Sequence, residues 1–296
     1  MTHFSPDPLS TGTAAALNRL QNVVNAETTG ERAYNRAADL WKNRKNRAAD
    51  KILWDQIEQQ LADKHPLSGI CQYCEFDRTT ATEHFFPKKH FPGKTFDWNN
   101  YLLVCHRCNS NYKGDKFAVF HPGGSSTVHH LPNVKGVYTN PPNDDAVLIN
   151  PRRDKPQDYL MLDLGTGIFL PVFGVDNRGR ERARYTCNTL SLNADSNLLR
   201  YRKKALIGYL NKLSTYVKVK QATNMNSLLN AFSNTGRTIV VQTNTFTTEQ
   251  SRLLDVVKAD LLDDLFPCAW MEIKLQKGID PAISALFTAA PEALNW

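Results

Sequence analysis

Four of the six cysteines fall into two Cys-x-x-Cys knuckles, Cys71-Gln72-Tyr73-Cys74 and Cys105-His106-Arg107-Cys108. Each knuckle presents two thiolates from one turn. Zn²⁺ prefers four ligands in a tetrahedron, so the pair specifies one tetrathiolate zinc site at Cys71, Cys74, Cys105 and Cys108. The N-terminus has no basic segment followed by an apolar one, so the expected compartment is the thiol-reducing cytoplasm, where disulfides compete poorly. A closed four-thiolate site has no open coordination position, and its zinc is expected to hold structure. Cys187 and Cys268 stand alone and are expected as small buried hydrophobes.

Chemistry is expected in the insert between the knuckles, which is longer than zinc-ribbon spacing. It carries Glu83-His84-Phe85-Phe86-Pro87-Lys88 and then Trp98-Asn99-Asn100-Tyr101-Leu102-Leu103-Val104. The second knuckle runs on as Cys108-Asn109-Ser110-Asn111-Tyr112-Lys113-Gly114. Hydrolysis of a phosphodiester needs a positioned base for water, a cation on the phosphate and a stabilised leaving oxygen. His84 is the candidate base, because a neutral imidazole with a pKa of about 6.5 takes a proton from water at neutral pH. Glu83 and Asn109 offer oxygen ligands of the kind that Mg²⁺ accepts while keeping waters. Lys88, Arg107 and Lys113, with Lys89, Lys94 and Lys116, are candidates for gripping nucleic-acid phosphates. His90, His106, His121, His129 and His130 are set outside the catalytic set.

These residues resemble the HNH endonuclease motif in its zinc-stapled ββα-metal form: an acidic-His pair at Glu83-His84, an Asn ahead of the third cysteine at Asn100, and an Asn after the fourth at Asn109. The run Glu83-His84-Phe85, the Trp98-to-Asn100 stretch and Cys108-Asn109 through Phe117 are similar to HNH nuclease subunits of bacterial antiphage systems, Septu-type and retron-associated. Leu148-Ile149-Asn150-Pro151 with Asp154-Lys155-Pro156, and Leu190-Ser191-Leu192-Asn193 ahead of Arg200, also look similar. The likeness spans about residues 70 to 205. It implies that Glu83 and Asn109 hold a catalytic divalent ion, and that Asn100 hydrogen-bonds across the hairpin loop that aims His84. The family more often has Asp at the first ligand and frequently His at the second; a Glu-Asn pair favours Mg²⁺ or Mn²⁺ over Zn²⁺ at that position.

The resemblance further implies a DNA-cleaving, antiviral nuclease acting on double-stranded DNA first and on RNA, including tRNA, second. The reading from another class is a catalytically silent zinc module that binds nucleic acid or scaffolds a complex. No G-x-x-x-x-G-K-[ST] run occurs, so any ATP dependence comes from a partner. Septu-type HNH subunits accompany an ABC-family ATPase, which would dock on the helical flanks. Self-packing is the favoured expectation for the Trp41 and Trp54 faces.

The elements that must position these groups follow from periodicity. The 296 residues are 41% hydrophobic and 22% charged, an ordinary globular balance. Lys and Arg number 36 against 29 Asp and Glu, a net +7 that favours polyanionic partners. Arg152, Arg153, Lys155, Arg178, Arg180, Arg182, Arg184, Arg200, Arg202, Lys203 and Lys204 crowd behind the cysteine-rich part. No apolar run approaches the roughly 18 residues of a membrane span. The fold class is α+β and mostly helical: an N-terminal helical region over 1–65, the HNH module over 66–120, a loop-rich β excursion over 121–185, and a mainly helical α+β region over 186–296. Leu17, Leu20 and Val24 mark a first helix; Tyr34, Ala38, Trp41, Ala48, Ile52, Ile57 and Leu61 mark a second from about Glu31 to Asp63 that His65-Pro66 ends. A hairpin is expected over Leu160–Phe173, helices over Asp195–Leu210 and Ser251–Phe266 with Pro267 as the stop, and a strand over Thr238–Phe246.

Replacing Cys71 or Cys105 with Ser is expected to unfold the central module, because a structural zinc supplies much of a small module's folding free energy. Zinc content and circular dichroism check this; a soluble, compact, zinc-free variant would contradict it.

Overall fold

The computed structural model describes residues 1–63, 67–134, 137–233, 235, 239–243 and 245–296. The chain divides into two compact units, Met1–Met161 with Phe169–Asp195, and Leu162–Ile168 with Ser196–Trp296. Both are built on helices, with strands confined to small antiparallel hairpins among the described residues. No described helix is long and apolar enough to cross a membrane.

The first unit opens with three helices, α1 (Thr11–Asn25), α2 (Gly30–Lys42) and α3 (Ala48–Asp63), where periodicity suggested two. The break lies in the polar run 43–47. Asn43 Nδ2 donates to Asp39 O at 3.1 Å and to Asp39 Oδ1 at 3.0 Å, and Arg44 Nη1 donates to Trp41 O at 3.0 Å. Side chains thus satisfy carbonyls that a further helical turn would have used. Arg47 then pairs with Asp50 in the first turn of α3. The expected stop at His65-Pro66 lies outside the described residues.

The three helices pack on the hairpin of β1 (Ala81–His84) and β2 (Tyr101–Val104). Their shared core contains Leu17, Val24, Ala37, Trp54, Ile57 and Leu61 from the helices, with Phe96, Tyr101 and Leu103 from the module. Trp54 is 1% exposed, and Trp41 meets it edge-on at 4.9 Å. Trp54 is therefore internal and Trp41 is half-buried against it, which is the self-packing expected of these faces. A short helix, Arg107–Lys113, follows β2 and completes the ββα order. Beyond it come the hairpin of β3 (Ala118–Phe120) and β4 (Val128–His130), then β5 (Leu160–Leu162) paired with β6 (Phe169–Pro171), and α4 (Asn177–Thr189).

The second unit contains α5 (Ser196–Gln221), α6 (Met225–Asn230), α7 (Phe246–Leu262), α8 (Pro267–Leu275) and α9 (Pro281–Ala289). Pro267 occupies the first turn of α8, where a missing N–H costs nothing, so it starts a helix as well as following one. The expected strand over 238–246 is corrected: residues 239–243 pair with no strand, and Phe246 opens α7. Instead, Gln242 N and Thr243 N donate to Glu249 Oε2 at 3.3 and 3.2 Å, tying the β-branched run to the first turn of α7. Thr238 and Asn244 lie outside the described residues. Cys187 and Cys268 are both buried.

Trp54→Ala should destabilise the first unit by about 3–5 kcal/mol, the usual cost of emptying a large aromatic site in a packed core. Urea denaturation measures it, and a shift under about 1 kcal/mol would contradict the core position described here.

Candidate active site

The four cysteine sulfurs all lie within 4.8 Å of one another and are buried, with Cys74 Sγ and Cys105 Sγ 3.9 Å apart. Four thiolates around zinc at about 2.3 Å are separated by about 3.8 Å, so this cluster fits a structural tetrathiolate zinc. Burial pushes the Cys71 thiol up, and hydrogen bonding with Cys105 pushes Cys108 up. Cys105 is pulled down, chiefly by the hydrogen bond from Cys108. Proton sharing of this kind is what crowded thiols do; a divalent cation is the partner that lets all four ionise. Backbone pairing holds the two knuckles together: Gln72 N donates to Leu103 O at 3.0 Å, and Leu103 N donates to Gln72 Oε1 at 2.7 Å. Gln72 Nε2 also reaches Leu61 O on α3 at 2.9 Å. Its role was invisible in sequence, since an exposed glutamine has the same signature.

The hairpin register sets Glu83 opposite Leu102 and His84 opposite Tyr101. Successive strand side chains alternate in direction, so Glu83 and His84 have different surroundings. Glu83 is buried beside Lys113, whose Nζ donates to Glu83 Oε1 and, at 3.0 Å, to His84 O. Burial raises the Glu83 carboxyl above its usual range against the pull of Lys113. His84 is 5% exposed, with its ring 4.1 Å from that of Trp41 and 5.5 Å from that of Tyr101. Its Nε2 donates to Thr95 O at 2.9 Å, which leaves Nδ1 as the nitrogen with a lone pair. Tyr101 Oη donates to the same carbonyl at 2.8 Å. Arg44 lies 4.0 Å above the Trp41 ring. Desolvation holds the His84 imidazole well below its usual pKa, and Lys88, Lys113 and Arg44 add to this, while the Thr95 hydrogen bond opposes it.

Glu83, His84, Lys88 and Asn109 line one cleft of about 160 Å³, together with Pro87, Ser110, Gly114 and Asp115. Three of the four residues expected at the site, Glu83, His84 and Asn109, thus line one cleft. Asn100 stands behind them, in the loop between β1 and β2. Its Oδ1 accepts from Phe86 N at 2.7 Å, and its Nδ2 donates to Phe86 O at 3.0 Å and Lys94 O at 2.8 Å. Phe85 N closes the pattern on Asn100 O at 2.8 Å. All the amide's groups are thus spent on the backbone that leads out of His84.

Two of the expected phosphate contacts are engaged within the fold. Lys113 has no exposed side-chain surface and is committed to Glu83. Arg107 is held by Asp77 and, at 2.7 Å, by Asp195. Lys88 remains at the cleft with no ion pair among the described residues. The basic crowd further along is also partly internal: Arg202 is buried on Gly167 O at 2.7 Å, while Arg178 and Arg182 pair with Asp145 and Asp154. Lysine is rarely buried without a partner, so the one signal for Lys113 was the acid beside His84. Asp115 also lines the cleft; it occupies one of the unspecified positions between Gly114 and Phe117, where the motif gives no signal.

As for a catalytic cation, the donor set fits a hard divalent ion. The cleft gathers Glu83, Asp115 and the Asn109 amide, whose side chain makes no other hydrogen bond among the described residues. One Glu83 oxygen is already engaged by Lys113.

The zinc staple, the ββα order and the cleft lie within residues 71–115, which match the HNH endonuclease family model. The chain thus carries an HNH endonuclease domain. It is also a distant homologue of the Septu protein PtuB of Bacillus mycoides (strain KBAB4), 28% identical over 114 residues that cover 33% of this chain and 36% of that protein. The match therefore spans about a third of the relative's length. No solved structure matches the chain.

A pH dependence of stability follows. Below about pH 6.5 the unfolded chain protonates His84 while the folded chain keeps it neutral, so stability falls as pH drops through that value. His84→Gln, which does not titrate, should show a shallower fall in melting temperature between about pH 7.5 and about pH 5. Equal slopes for both proteins would overturn the burial argument.

Proposed function

We propose that this chain is a metal-dependent HNH endonuclease that hydrolyses phosphodiester bonds, with double-stranded DNA as its first substrate. The reading rests on one observation: His84, tethered through Nε2, shares a cleft with Glu83, Asn109 and Lys88. In this role Nδ1 of His84 takes the proton from the attacking water. A low imidazole pKa keeps that nitrogen free at neutral pH, at the cost of a weaker base. Glu83 and Asn109 would hold Mg²⁺ or Mn²⁺, which would supply positive charge to the phosphate and the leaving oxygen. Lys113 opposes the rise that burial imposes on the Glu83 carboxyl and orients it. Lys88 adds charge at the scissile phosphate, and Asn100 holds the loop behind the base. Water attacks directly, so the products carry 5′-phosphate and 3′-hydroxyl ends and no 2′-hydroxyl is required.

The Septu homology supports a place in bacterial antiphage defence, in the cytoplasm, beside an ABC-family ATPase that would supply the nucleotide dependence this chain lacks a P-loop to provide. Trp54 is internal and Trp41 is packed on it, which leaves other surfaces of the chain for such a partner.

Purified protein with Mg²⁺ or Mn²⁺ is expected to cut plasmid DNA, alone or with its co-purified ATPase, and His84→Ala should lose at least about 100-fold in rate at unchanged zinc content. Cleavage of total RNA alone would move the substrate to RNA. No cleavage of either nucleic acid, with or without the ATPase, would leave the silent scaffold as the function.

A further inference from the structure

The segment from Leu148 to Pro156 lies well beyond the HNH domain, yet its turn is built around buried groups that aim one side chain back at it. Asn150 is 2% exposed. Its N–H donates to Asp154 Oδ2 at 2.7 Å, its carbonyl accepts from Arg153 N and Asp154 N at 3.0 and 2.8 Å, and its Oδ1 accepts from Arg152 N at 3.0 Å. The turn is fastened to α4 twice: Arg182 grips both oxygens of Asp154, at 3.1 and 2.5 Å, and Ile149 N donates to Thr186 Oγ1 at 3.0 Å. Arg152 is the product of this arrangement. Its Nη1 donates to Trp98 O and, at 2.9 Å, to Tyr101 O, and its guanidinium lies 4.5 Å over the Trp98 ring.

Those two carbonyls flank Asn100, the residue that ties down Phe86 and the chain leaving His84. Burial pulls the Arg152 guanidinium down to about 10, so the position costs solvation. No carboxylate forms an ion pair with it among the described residues; Asp97 acts on it only at longer range. A desolvated cation held on two backbone carbonyls and one indole face has its whole interaction invested in the shape of residues 98–101.

We propose that Arg152 is a positioning residue for the HNH centre, fixing the Asn100 turn and through it the placement of His84. This rests on the nuclease reading above for its kinetic consequence, while its structural consequence is independent of it. The planar fork serves two carbonyls and a ring at once, a task that a lysine ammonium performs only in part.

The test uses full-length Arg152→Ala and Arg152→Lys beside wild type and His84→Ala. In Arg152→Ala, zinc content stays at the wild-type level, kcat falls at least about 10-fold with KM unchanged, and added guanidinium ion restores part of the loss. Arg152→Lys falls in between. Independently of cleavage, hydrogen exchange at the Phe85 and Phe86 amides, which Asn100 accepts, should quicken about 10-fold in Arg152→Ala while the Gln72 amide is unchanged. Wild-type kcat together with wild-type exchange in Arg152→Ala would overturn the proposal. If Arg152→Ala loses zinc and unfolds, Arg152→Lys is judged by the same two readouts. If wild type cuts nothing, the nuclease reading fails on its own account and the exchange rates alone decide the clamp.

Discussion

Two Cys-x-x-Cys turns far apart in the chain are drawn into one cluster of sulfurs, and that closure dictates where the insert between them can lie. With Cys71 and Cys74 at one end and Cys105 and Cys108 at the other, the chain must leave, turn and return within the span of a short hairpin. Gln72 makes the return exact by pairing its side chain and backbone with Leu103. Cys105 directly follows β2, and Cys108 lies in the helix that carries Asn109 and Lys113. A divalent ion bound at the sulfurs therefore fixes three elements at once, and the free energy of binding it becomes stability for the cleft.

Within that frame the cleft is organised by buried charge. Lys113 and Glu83 would each be costly to bury alone; together they hold the end of β1 and the end of the helix in one register, and removing either partner strands the other, a loss of about 3–5 kcal/mol in comparable pairs. His84 is treated in the opposite way. It is kept neutral between Trp41 and Tyr101, with one nitrogen fixed on a carbonyl. An acid paired with an ammonium and an imidazole packed among aromatic rings thus have environments that act on them in different ways.

The supporting shell comes from outside the family match. α2 brings Trp41, and the turn after it Arg44, to the back of His84, and Gln21 of α1 accepts from Phe96 N at 2.8 Å and donates to Pro92 O at 3.2 Å. The Asn150 turn delivers Arg152 from the other direction. The helical flank and the later loop are thus part of the site's architecture, and residues 71–115 alone would lack both walls.

The four-cysteine cluster, the ββα order and the neighbourhood of Glu83, His84 and Asn109 were legible in the sequence, because each depends on residue type at short spacing: two thiolates per turn, an acid beside an imidazole, an amide after a knuckle. Helix existence was legible for the same reason, since one amphipathic stripe is a local pattern. The break at 43–47 and the unpaired run at 239–243 were not, for side-chain hydrogen bonds to Asp39 and Glu249 decided them over periodicity and β-branching. Nor were the fates of the basic residues. Lys88, Arg107 and Lys113 look alike in sequence, yet one lines the cleft, one is paired with two aspartates and one is buried on Glu83. Charge is a property of the residue, but what a charge does is set by the partners that folding brings within a few ångströms, and only the tertiary structure chooses those.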